Sequence, residues 1–278
     1  MHRTTGTRAL RRLVLGGASL ALATTMVACG SDDSGGEETQ AAESSAAEAG
    51  GDPAEFCEAA VDAEGAIAMG PPIDFETATP EEIQAALEEF GTQVEPQLAA
   101  VEETAPEEIS DAVTTLTGNI REVLSTGDDT IFEQPEYTEA DDAIDEYMLA
   151  ECGYEQLEAT GVNYEYEGIP ETIQSGVVAI TFTNEGDEMH EIGLARINDD
   201  VTMPVEELLT QPEEQVISMI ELKGVAFAAP GESDTTFMRL EEGRYGAACF
   251  IPQGTTHEHE GDGPPHFTLG MFAEFTAE

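Results

Sequence analysis

The chain has 278 residues, and 59 Asp and Glu against 9 Lys and Arg leave a formal net charge of -50 at neutral pH. So acidic a surface repels nucleic acid and anionic lipid headgroups, which argues against either as a ligand and points to basic proteins or cations as partners. The acids are spread along the whole chain, a distribution that also serves solubility or tolerance of high salt.

Residues 1–28 contain no acid and carry Arg3, Arg8, Arg11 and Arg12 ahead of an apolar run that ends in "MVAC". A positive start, a short apolar stretch and a small residue before a cysteine make an export signal rather than a membrane span. The run resembles a bacterial lipoprotein signal, which implies a lipidated Cys29 as the mature N-terminus, and the Arg11 and Arg12 pair also resembles a twin-arginine signal. Residues 29–51 then form the anchor cysteine and an acidic tether of Gly, Ser and Ala with no large apolar side chain to build a core. The expected location is the outer face of the cytoplasmic membrane, with membrane contact through the lipid alone.

Over 52–153 the apolar period is helical. "DPAEF" starts a helix with Asp52 as N-cap, Pro53 at the first position and Glu55 in the capping-box place, and "TPEEI" repeats the device with Thr79, Pro80 and Glu82. Ile83, Leu87, Phe90, Val94, Leu98 and Val101 recur at three and four, with Pro96 expected to bend or break the segment. Two further stripes run from Ile109 to Val123 and from Tyr137 to Met148, completing a small helical bundle. Outside the cytoplasm thiols usually pair. Cys57 near the first helix and Cys152 past the last are expected to form a disulfide, which leaves Cys249 over and in need of an explanation.

After Gly153 the period falls from 3.6 to 2. Val178, Ile180 and Phe182 alternate with Val177, Ala179, Thr181 and Thr183, and further strands are expected at 189–197, 223–228, 235–240, 245–251 and 267–275, with a short helix in "PVEELLTQPEEQVISMI". Many short strands with Gly and Pro turns make 160–278 a β-sandwich. The fold class is therefore α+β and multidomain, an N-terminal helical bundle followed by a C-terminal sandwich.

A sandwich can bring distant loops together at one end. "NEGDEMH" supplies His190 at a strand start, "GRYGAACFIP" supplies Cys249 near a strand end, and "PHFTLGM" supplies His266 and Met271 with four residues between them. Two imidazoles, a thiolate and a weak thioether suit copper in a geometry that serves both of its oxidation states, and ligation accounts for the odd thiol.

On these motifs the segment from about 162 to 278 resembles a cupredoxin, the blue-copper domain family. The resemblance implies a Greek-key sandwich of eight strands holding one type 1 copper, with His190, Cys249 and His266 as strong ligands and Met271 axial. It also implies one-electron transfer, with a redox partner docking at the exposed edge of His266. The sequence departs from the family in two places. Sixteen residues separate Cys249 from His266, a longer loop than the family carries, expected to bulge outward without moving His266. Glu191 follows the first ligand where simple blue-copper proteins often have a bracing asparagine. His257 or His259 could replace His266 as the ligand, and "HEHE" could instead be an accessory copper-collecting patch or a solvated loop.

A copper oxidase would need further histidine ligands, and the chain has five histidines, one of them in the signal. The expectation is an electron-transfer protein and not an enzyme. The alternative is a lipoprotein that stores, senses or delivers copper, or a metal-free binding module.

Overall fold

The computed structural model describes residues 51–278 apart from Met69, Glu76, His257 and Glu258. The signal, Cys29 and most of the tether lie outside the described residues, as does His257. No described helix is long and apolar enough to cross a membrane.

Four helices come first: α1 (Pro53–Ala68), α2 (Pro80–Thr104), α3 (Ser110–Thr126) and α4 (Pro135–Glu151). The second start has the expected reciprocal cap, in which the Thr79 hydroxyl accepts from Glu82 N and the Glu82 carboxylate accepts from Thr79 N. At the first start Asp52 Oδ1 accepts from Ala54 N at 2.9 Å. The helical stripes meet in an interior of Leu87, Phe90, Val94, Leu98, Ile120 and Val123. α2 runs on through Pro96, so of the expected bend or break the break does not occur. Pro96 stands on the exposed face between buried Val94 and Leu98, whose packing holds the helix through the missing hydrogen bond. Cys57 and Cys152 are joined by a disulfide with their Cα atoms 5.6 Å apart. Closing a loop of 95 residues stabilises by roughly 4 to 5 kcal/mol on the chain-entropy view.

Among the described residues, the remainder is a mixed sandwich of nine strands, against the eight that the resemblance implied. β1 (Glu155–Val162), β2 (Glu165–Glu167), β4 (Gly176–Asn184) and β7 (Ser233–Leu240) form one sheet in the order β2-β1-β4-β7. The other is β3 (Thr172–Ile173), β9 (Phe272–Ala277), β8 (Gly243–Ala248), β5 (His190–Ile197) and β6 (Ile220–Ala228), in the order β3-β9-β8-β5-β6. β1 runs parallel to β4 and β3 to β9; the other pairings are antiparallel. Two short segments, α5 (Val205–Leu208) and α6 (Glu213–Met219), stand where one helix was expected, with Pro212 dividing them. The predicted strand over 267–275 is shorter, because His266–Leu269 is a 3-10 turn ahead of β9.

The alternation in β4 has two buried faces. Val178, Ile180 and Phe182 enter the sandwich core with Ile192, Leu194 and Tyr245. Ala179, on the opposite face, is equally buried with Phe237 of β7 against Phe56, Val61 and Tyr147 of the helices.

Candidate metal centre

Antiparallel neighbours place the start of one strand beside the end of the next. β5 begins at His190, β8 ends one residue before Cys249 and β9 begins one residue after Met271, and all three adjoin in the same sheet. Past the last ladder pair, Ala248 with Phe272, Cys249 N donates to Met271 O at 3.1 Å. The 3-10 turn is tied to the same end, with Phe267 N donating to Cys249 O at 2.8 Å and His266 N to Ile251 O at 3.0 Å. Strand register thus delivers His190, Cys249, His266 and Met271 to one buried corner, each at most 1 % exposed.

The donor atoms converge. Nδ1 of His190 lies 3.0 Å from Nδ1 of His266, and Cys249 Sγ is 3.3 Å from the latter. The donors of these three residues all fall within 4.8 Å of one another. An ion about 2 Å from each imidazole nitrogen would need such donors roughly 3 to 4 Å apart, so the spacing of these three donors fits a metal. Met271 shares the corner, with its Cε and the Phe182 ring both against Gly161. His190 Nε2 is buried with no hydrogen-bond partner among the described residues.

Burial lowers the His190 pKa to about 4, helped by His266, and burial also lowers that of His266 against the opposing pull of Glu188. Burial pushes the Cys249 thiol up, and the charge of Glu191 adds to this. Both imidazoles are therefore neutral at physiological pH and free to ligate, while a metal must displace the thiol proton.

Three residues outside the sequence reading's ligand set frame this corner. Asn184, fully buried, donates through Nδ2 to Glu188 O and Ala228 O and accepts from Gly186 N, which fixes the turn ahead of His190. Glu191, read from sequence as a lost brace, braces the site in another way. Its carboxylate accepts from Phe250 N at 2.7 Å, its own N faces Cys249 Sγ at 3.5 Å and its carbonyl accepts from Tyr166 OH. Glu188 bonds His266 Nε2 at 3.2 Å and accepts from Gly254 N and Tyr164 OH. Burial raises its pKa, but these hydrogen bonds outweigh the effect and hold the carboxyl below its ordinary value. The signal for Glu188 was its place two residues before His190, which alone is too weak to single out one acid among 59.

The edge of His266 is therefore closed, contrary to the exposed edge implied by the resemblance. Gln253 Nε2 donates to Tyr164 OH at 2.6 Å and Met189 N to Thr255 O at 3.2 Å, so the first part of the long insertion is tied back to Tyr164 and Met189 instead of bulging outward. A bridge between Pro252 and Pro265 pinches the insertion at its base, which keeps His266 beside Cys249 despite the intervening residues. His259 is exposed, with Nδ1 3.1 Å from Thr256 Oγ1, and is not among the converging donors.

No protein-family model matches the chain, and no curated protein sequence is similar to it. Among solved structures, a dithionite-reduced auracyanin from Roseiflexus castenholzii is 20% identical with a TM-score of 0.31, over 44% of this chain and 96% of that one. Auracyanin A, a "blue" copper protein from Chloroflexus aurantiacus, is 17% identical with a TM-score of 0.31, over 45% and 100%. The multicopper oxidase McoA from Aquifex aeolicus is 14% identical with a TM-score of 0.26, over 45% and 30%. At these scores the likenesses do not decide the chemistry, which rests on this chain's own donor atoms.

Proposed function

We propose that the chain binds one copper ion at a type 1 site through His190, Cys249, His266 and Met271, and that it carries single electrons. The carrying observation is the buried convergence of two imidazole Nδ1 atoms and one thiol within 4.8 Å, with a buried methionine beside them. A trigonal set of two histidines and a cysteine with a weak thioether is the donor chemistry of electron-transfer copper. Zinc would complete a tetrahedron with a fourth strong ligand, and the nearby carboxylates of Glu188 and Glu191 are engaged by His266, Gly254 N and Phe250 N. When bound, the copper would supply a one-electron couple. The protein's part is to hold the donors, exclude water and fix the thiolate through Glu191 N. Hydrogen-bonded enclosure favours electron transfer over copper storage or delivery, which require ligands that open.

Export and anchoring belong to the same proposal. The signal-like N-terminus supports export, the disulfide suits an oxidising compartment, and lipidation of Cys29 would place the copper domain outside the cytoplasmic membrane, raised by the tether. The domain limits at 29–51, 52–153 and 160–278 are part of this reading.

The test is to load the full chain with Cu(II) and record visible and EPR spectra. An intense thiolate-to-copper band is expected; Cys249→Ser abolishes it, His266→Ala disrupts it and Met271→Leu keeps the copper with an altered spectrum. His257→Ala combined with His259→Ala should leave the band unchanged. Loss of the band in that double variant together with its retention in His266→Ala would reverse the ligand assignment.

A further inference from the structure

The buried copper corner needs a route to the surface, and the hydrogen-bonded cap over His266 Nε2 denies it the imidazole edge. The chain offers another. Phe250, directly after Cys249, is 47 % exposed, and Leu269 on the 3-10 turn is 40 % exposed. Phe267, directly after His266, is half-buried, with its ring centroid 5.2 Å from that of Phe250. Two ligand residues thus pass, each in one covalent step, to neighbouring aromatic rings, with Leu269 two residues further along the same turn. The backbone under these rings is pinned by Phe250 N to Glu191 and by Phe267 N to Cys249 O. Large apolar side chains left in water over a rigid base mark an interaction surface.

Charge identifies the class of occupant. All five Lys and Arg among the described residues, Arg121, Arg196, Lys223, Arg239 and Arg244, are already in ion pairs with acids. The chain as a whole carries a net charge of -50, so a partner that complements it brings positive charge.

We propose that Phe250, Phe267 and Leu269 form the docking face for a one-electron carrier protein whose own contact surface has an apolar centre and a lysine-rich rim. In the encounter copper(I) gives up one electron to become copper(II), and the oxidised carrier is reduced by that electron, with no bond made or broken. The proposal rests on the copper reading above and specifies the partner and face for that site.

Ferric cytochrome c, a haem protein with a lysine rim, is the probe. The copper(I)-loaded full chain is mixed with it by stopped flow, and the copper band and the ferrous haem are followed together. The bimolecular rate should fall as ionic strength rises. Phe250→Ala combined with Leu269→Ala should slow it about tenfold or more. Leu269→Lys alters only an exposed side chain and should slow it through repulsion, whereas Ile217→Ser, at the most exposed large apolar side chain elsewhere, should leave it unchanged. Reaction of the double variant and of Leu269→Lys at the unmodified rate, with the blue band intact, overturns the docking face alone. A rate that increases with salt overturns the basic partner. Absence of a blue band from the unmodified protein removes the copper reading and this face with it.

Discussion

Gly186 stands where the imidazole of His190 needs room. A Cβ there would lie 2.6 Å from His190 Nε2 and 3.1 Å from Asn184 Oδ1, and His190 is only 1 % exposed, so the ring has nowhere to retreat. Gly186→Ala is expected to lower copper affinity about ten- to a hundredfold, the range for residues that orient a ligand, as measured by competitive copper titration. Gly161 does the same for the thioether, because its Cβ would lie 2.7 Å from the Phe182 ring and 3.0 Å from Met271 Cε. In Gly161→Ala the copper should stay bound with a shifted visible spectrum, and an unchanged spectrum would show that Met271 does not sense this contact. Neither glycine stood out in the sequence, since each matters only for the atom packed opposite it.

At the scale of elements, α2 carries an internal proline at a cost. Proline lacks the N–H that would bond Thr92 O, and its ring crowds that carbonyl. The helix tolerates it because Phe90, Val94 and Leu98 are packed against Ile120 and Val123. Pro96→Ala should therefore stabilise the protein by about 1 to 3 kcal/mol, read as a higher urea midpoint by circular dichroism. A lower midpoint would mean that Pro96 shapes the helix for a neighbour. The element pattern was largely legible: caps at Asp52 and Thr79, apolar stripes and the change of period after Gly153 all mark local choices of the backbone. Strand ends were less legible near the metal corner, where the 3-10 turn at His266 is set by hydrogen bonds to Cys249 and Ile251.

At the scale of the molecule, the helices meet the sandwich through an acidic seam. Glu64 of α1 accepts from Thr236 Oγ1 at 2.6 Å and Phe237 N at 2.9 Å, while Asp234 of β7 accepts from Phe227 N and Thr235 N. Burial raises both carboxyls to about 7 against those hydrogen bonds. Burial, then the charges of Asp234 and Glu64, pushes Asp141 of α4 well up, and burial, then the charges of Asp141, Asp234 and Glu64, does the same for Asp145. Across this seam Arg239 is engaged with Glu58 and Asp62. A carboxyl raised on folding binds protons that the unfolded chain releases, so its contribution favours the fold near pH 4 to 5 and is lost as pH rises through about 7. Glu64→Gln keeps the oxygen that Thr236 and Phe237 use and removes the charge. Its stability relative to the unmodified protein should rise by about 1 to 2 kcal/mol between pH 5 and 8, a value discounted for the partial exposure of Glu64. Parallel pH profiles of the two proteins by thermal unfolding would contradict this.

Reading along the chain was enough for the helical and strand regions, the pairing of Cys57 with Cys152 and the donors that converge, because caps, periodicity and residue chemistry are local or few in number. It did not reach the closure over His266, the bracing by Glu191 or the second buried face of β4 and β7. Those features depend on which residues distant in sequence come to share a corner. Tyr164, Gly254 and His266 meet at the Glu188 carboxylate from three separate segments, and Ala179 is buried only because the helices cover the outer face of a sheet that alternation alone would leave half in water.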